Sequence, residues 1–120
     1  MSPVPSYVND AWRKASRTRA EWLYAISAGL VTPTEAIMAA ATIDGSPLMN
    51  MSLRVLLSAA CPRQVADGIV VALGRAFGCD LARVYVPVRW LYDGRSLRDE
   101  RIAALEVALL ARAVPLDVQA

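Results

Sequence analysis

The tetrad Thr32-Pro33-Thr34-Glu35 constrains this chain more than any other stretch, because it fixes a helix start almost to the residue. A threonine oxygen at the N-cap accepts a backbone N–H three residues on, and a glutamate there reaches back to the N–H of the cap. Proline at the first helical position sacrifices nothing, since its missing N–H has no partner inside the helix. The spacing predicts a helix from Pro33 to about Ala41.

Punctuation of the same kind divides the rest. Residues 1–8 carry Pro3 and Pro5 and are expected to form a flexible arm. Asn9 or Asp10 is the expected cap of a first helix reaching Ala28, with Gly29 as its left-handed stop. Thr42 to Asn50 reads as a loop around Asp44-Gly45-Ser46-Pro47. A third helix is expected from Asn50 or Ser52 to about Ala60. It would bury Leu53, Leu56 and Leu57 and point Arg54 elsewhere. Pro62 opens a fourth helix, with Val65, Ile69, Ala72, Leu73 and Ala76 or Phe77 on one face, Arg63 and Asp67 paired outside, and Gly78 as the stop. Gly68 and Gly74 each cost this helix roughly 0.5–1 kcal/mol against alanine, a loss that close helix packing would offset.

Asp80 to Arg83 reads as a linker. Val84 to Val88 is β-branched and alternating, but Pro87 makes it a poor central strand and no partner strand is evident, so an extended connector is expected. Trp90 to Tyr92 is either a helical turn or part of a loop, before the Asp93-Gly94 turn. Ser96-Leu97-Arg98-Asp99 resembles a second capping box. The last helix should run from Leu97 to about Ala113, stopped by Pro115. It has two apolar stripes: Ile102, Leu105 and Leu109, then Val107, Leu110 and Val114. A helix apolar on two sides is either central to a core or shared with a second subunit. The expectation is an all-α fold, one domain over residues 9–114, of about five helices behind a long basic N-terminal one. Residues 115–120 form a flexible tail.

At 120 residues the chain is one domain's worth. It has no histidine, which removes the commonest general base and metal ligand near neutral pH. Cys61 and Cys79 flank a helix that would hold them roughly 20 Å apart or more, beyond disulfide reach. Two free thiols suit a reducing cytoplasm. The acids are scattered, no glycine-rich phosphate loop occurs, and adjacent Asp99 and Glu100 face different ways on a helix. No catalytic residue, metal site, cofactor or small-molecule substrate is therefore expected. No run approaches the ~18 apolar residues of a membrane span, and residues 1–9 lack a secretion pattern.

The thirteen basic residues include a single lysine, Lys14. Arginine suits phosphate and guanine, although a GC-rich genome also favours it. The net charge of +2 does not by itself argue for nucleic acid. Placement is more informative. Arg13, Lys14, Arg17 and Arg19 crowd the first helix against one acid, Asp10. Arg13 and Arg17 repel at i,i+4, and positive charge early in a helix opposes its dipole. Either the charges are kept for an anionic partner, or they form a solvated face with Arg17 paired to Glu21. The second cluster lies in Arg83–Arg101, which mixes five arginines with Tyr85, Trp90 and Tyr92. Arg95, Arg98 and Arg101 at the last helix start would form a phosphate clamp, with Arg89 and the Trp90 or Tyr92 ring on a groove wall. Alternatively the rings plug the core and the arginines pair with Asp93, Asp99 and Glu100.

Several segments together resemble the actinobacterial integration host factors, nucleoid-associated proteins with a helix–two-turn–helix domain behind a basic helix. They are R-T-R-A-E-W-L-Y-A-I-S-A-G-L (17–30), T-E-A-I-M-A-A-A (34–41), L-M-N-M-S-L-R-V-L-L-S-A-A (48–60) and V-P-V-R-W-L…G-R-S…R-I-A-A-L (86–105). In order and spacing they cover residues 12–110. The resemblance implies that Arg17 and Arg19 match the basic helix and Arg89 the arginine after the proline. Two elements depart. Cys61-Pro62-Arg63-Gln64 stands where the family has a glycine-containing turn, and Tyr92-Asp93-Gly94-Arg95 replaces its Arg-Gly-Leu-Gly. Both are DNA-contacting regions in the family, so the resemblance is to a divergent relative, bacteriophage-borne in one version, with the scaffold kept and the partner altered.

The reading of function is a cytoplasmic, nucleoid-associated architectural protein. It would hold the phosphates of double-stranded DNA with Arg13, Arg17, Arg19, Arg89, Arg95, Arg98 and Arg101, with little base readout. The alternative is a protein-interaction module, a homodimer or a modulator of a host protein. It would use the last helix with Trp90 and Tyr92 as anchors.

Overall fold

The computed structural model describes the backbone of residues 6–43, 46–92 and 98–113 and the side chains of 10–43, 46–92 and 100–111. Within them the chain is all-α. Helix α1 spans Ser6–Ser27, α2 Pro33–Ala41, α3 Leu53–Ser58, α4 Arg63–Ala76 and α5 Arg98–Ala113. Two 3-10 turns, Pro47–Asn50 and Val88–Tyr92, link them.

Local chemistry sets the helix ends. Thr32 Oγ1 accepts the N–H of Glu35 at 3.1 Å, and the Thr32 N–H donates to Glu35 Oε1 at 2.8 Å, so the capping box is complete. Ser52 caps α3. Gly29 (φ +76°) and Gly78 (φ +75°) close α1 and α4 in the left-handed conformation. In both, two reversed bonds satisfy the last carbonyls. Leu30 N–H donates to Ala25 C=O and Gly29 N–H to Ile26 C=O; Cys79 N–H donates to Gly74 C=O and Gly78 N–H to Arg75 C=O. The N-terminus differs from expectation. Helix α1 reaches back to Ser6, the residue after Pro5, so Asn9 and Asp10 lie inside it and do not cap it. The start expected at Ser96, and the tail after Ala113, lie outside the described residues.

One core unites these elements. Leu53, Leu56 and Leu57 of α3 are fully buried, with Ile37 of α2, Leu48 of the first 3-10 turn, Ile69 and Val70 of α4, and Leu105 of α5. The loop expected at 42–50 thus contains a 3-10 turn, because Leu48 needs a fixed backbone to enter the core. The buried face of α4 is Ala66, Ile69, Val70, Leu73 and Gly74, while Ala72 and Ala76 are exposed. It is turned toward Ala66 and Val70 relative to the expected face. Gly74 accounts for part of that turn. A Cβ there would lie 2.6 Å from the Cys79 carbonyl oxygen and 2.7 Å from Leu81 Cγ, so only glycine lets residues 79–81 fold back over the helix.

The extended connector does have a partner. Leu53 N–H donates to Val86 C=O and Val88 N–H to Met51 C=O, both at 2.7 Å, around a single antiparallel bridge between Ser52 and Pro87. The bonds flank Pro87, so its missing N–H falls where none is needed.

Arg54 holds the connector from its other end. Its Nε donates to Asp67 Oδ1 (2.7 Å), Nη1 to Val84 C=O (2.5 Å) and Nη2 to Leu81 C=O (2.6 Å). Asp67 is therefore engaged by Arg54, not by Arg63 as the sequence suggested. The fork spans α3, α4 and a turn in which Arg83 itself adopts a left-handed φ of 61°. Replacing Arg54 by Met is expected to lower stability in urea denaturation by about 2–3 kcal/mol, since two backbone carbonyls lose a charged donor. Arg54→Lys should recover only part of that, because an ammonium cannot fork in plane.

Candidate nucleic-acid interface

The structure separates the seven arginines expected to grip DNA. Arg13 and Arg17 are exposed on α1, one turn apart. Lys14, also exposed, lies next to them. Arg19 is two residues from Arg17, so about 200° further round the helix, on the side that carries Trp22 and Ile26. It is half-buried, and its Nη2 donates to Ser16 Oγ at 3.3 Å.

Helix α1 has 22 residues and is about 33 Å long. Among its described side chains the core contacts lie in the C-terminal half: Ile26 is buried and Trp22 packs against the core. Residues 10–14 are exposed throughout, and Trp12 is 64% accessible. The molecule measures 59 × 31 × 27 Å. The one ion pair there, Arg13 to Asp10, is 4.0 Å long between side chains that are 79% and 73% exposed, so water screens it strongly. Arg17 and Glu21 form no ion pair. Arg13, Lys14 and Arg17 thus present a basic strip with little internal compensation.

Arg101 belongs elsewhere. It is nine-tenths buried, which corrects its place in a surface clamp. Its guanidinium lies over the Trp90 ring at 4.1 Å from the centroid and 5.7 Å from that of Phe77. Phe77 meets Trp90 edge-on at 6.4 Å. Nη1 donates to Trp90 C=O at 2.5 Å, and among the described residues no carboxylate pairs with it. The cation is held by ring faces and one carbonyl, and it fastens α5 to the second 3-10 turn. Trp90 and Tyr92 are half-buried against the core, closer to core plugs than to a free groove wall.

Arg89 is exposed, and its Nη1 donates to Asn50 Oδ1 at 3.1 Å. Asn50 ends the 3-10 turn that packs on α1. Arg95 and the Arg98 side chain lie outside the described residues. Arg63 and Arg83, which are not among the seven arginines expected to grip DNA, are exposed beside a cleft near Arg54. Only the fold brings them together.

The second apolar stripe of α5 is on the surface, with Val107 66% and Leu110 63% exposed. Leu110 also lines a hollow of about 260 Å³ with Leu109, Pro33 and Cys61. Among the described residues no helix is long and apolar enough to cross a membrane. No family model, curated protein or solved structure matches this chain.

Arg101→Ala should lower stability by about 2–3 kcal/mol, through lost packing and lost cation–π contact. It should leave low-salt DNA affinity of the folded protein unchanged. A fall in affinity with unaltered stability would return Arg101 to the contact surface.

Proposed function

We propose that this chain binds double-stranded DNA through its phosphate backbone, as a small architectural protein of the bacterial nucleoid. The observation that carries the reading is the outer half of α1. Three exposed cations, Arg13, Lys14 and Arg17, fall within five consecutive positions there, on a helix whose residues 10–14 are all exposed. Such a strip neutralises phosphates without reading base edges. Arg89 adds a cation beside the 3-10 turn that packs on α1. In this reading the chain is a divergent relative of the actinobacterial integration host factors. The order of its motifs supports that relation, and the glycine-free turn at Cys61-Pro62-Arg63-Gln64 marks the divergence.

Backbone binding has a thermodynamic signature. Counterions released from DNA make log K fall linearly with log salt, with a slope near −0.9 per phosphate neutralised. Fluorescence anisotropy with a random-sequence duplex should give about micromolar affinity at low salt and a steep loss as salt rises. Arg13→Ala with Arg17→Ala should flatten the slope by about 2 without altering the melting temperature, since neither side chain touches the core. No binding at low salt would remove the proposal.

A second reading has its own observation. Exposed Val107 and Leu110, beside the apolar hollow, suit a protein partner or a second copy of the chain. Sedimentation velocity of the wild type and of Leu110→Glu should then show an associating species only in the wild type. A monomer at all concentrations in both would rule out self-association through this face.

A further inference from the structure

We infer that the cleft between α3, the first turn of α4 and residues 83–85 is a phosphate-binding site, distinct from α1. The cleft is open and has a volume of about 530 Å³, and three arginines, Arg54, Arg63 and Arg83, are among the residues that line it. Asp67 is the one carboxylate among these lining residues, and the 2.7 Å bond from Arg54 Nε already engages it. Arg63 and Arg83 are exposed and form no ion pair among the described residues. Two arginines without an ion pair on one concavity leave its positive charge uncompensated, and an anion seated there would lower that charge and accept from their guanidiniums.

The geometry of the donors favours an oxyanion. A guanidinium offers paired N–H groups whose spacing matches two oxygens of a phosphate. Gln64, on the same rim, adds a neutral amide donor. Tyr85 forms a wall of the cleft. Its hydroxyl donates to the Asn50 carbonyl, which fixes the side chain, while the residue stays 63% exposed. The framework is fixed as well. Arg54 ties the 81–84 turn to α3 and α4, so Arg83 and Arg63 are carried by anchored backbone.

A phosphate of a DNA strand and a free phosphate or nucleotide share this chemistry. The site rests on its own residues and not on the α1 reading. Its test is NMR of arginine Nε–Hε groups in the full chain, titrated first with inorganic phosphate and then with a short duplex. Saturable shifts of the Arg63 and Arg83 signals are expected, with the exposed Arg75 as an internal control. They should be lost in Arg63→Ala with Arg83→Gly. Glycine suits the left-handed φ at position 83, so the melting temperature should hold or rise at that position while binding falls.

Saturation by duplex at lower concentration than by phosphate identifies the DNA backbone as the source. The double variant should then lower the salt slope by about 1–2. Saturation by phosphate with no response to duplex supports a free phosphate or nucleotide instead. Shifts no larger than those of Arg75, and linear in both titrations, overturn the site. A wild type that ignores duplex but saturates with phosphate would remove the α1 proposal and leave this one standing.

Discussion

The fork made by Arg54 is the interaction on which the arrangement of this molecule depends. A six-residue helix has too few turns to be stable alone. Helix α3 nevertheless sits at the centre of the core. Its three leucines supply the apolar side of that position, and Arg54 supplies the polar side. From one guanidinium it satisfies a carboxylate on α4 and two carbonyls of the following turn. Without those donors the Leu81 and Val84 carbonyls would need water at a place where the chain folds tightly over Gly74. Helix packing and the course of the connector are therefore solved by the same side chain.

Most of the helix boundaries were legible in the sequence because their causes are local. The Thr32–Glu35 capping box, the Ser52 cap and the glycines at 29 and 78 act within a few residues, and each ends or starts a helix as expected. The start of α1 was misplaced because Asn9 and Asp10 are good caps that the chain does not use. The arginines were the less legible part. Their chemistry is the same at every position, and what each one does depends on partners far away in sequence. Arg101 lies in a pattern typical of a phosphate clamp and is buried over Trp90. Arg54 was read only as pointing away from a leucine face and proved to be a structural crosslink. Arg63 and Arg83 carried no motif, yet they share a cleft. A pairing of the Val84–Val88 segment with Ser52 was equally invisible, since a two-residue ladder leaves no periodic signal.

Sorting the arginines by environment sharpens the functional question. Arg54 directs its donors inside the molecule, Arg101 is buried over Trp90, and Arg19 leans toward the body. Arg13, Arg17, Arg63, Arg83 and Arg89 keep most of theirs for solvent or a ligand. A modest net charge of +2 conceals this asymmetry. It averages a helix strip and a cleft, in each of which cations outnumber a single acid, Asp10 and Asp67 respectively, with acids placed elsewhere.

The two bonds that join Leu53 to Val86 and Met51 to Val88 close a loop that contains α3, α4 and the turn held by Arg54. Inside that loop α3 packs directly on α4, and both share one core with Ile37, Leu48 and Leu105. Amides at Leu53 and Val88 are bonded across the bridge on buried residues, so their exchange is expected to require a larger opening of that core. Those in the outer half of α1 open by fraying, with no core contact to break. The molecule thus has two levels of local stability along one chain, and its most exposed cations lie on the lower one.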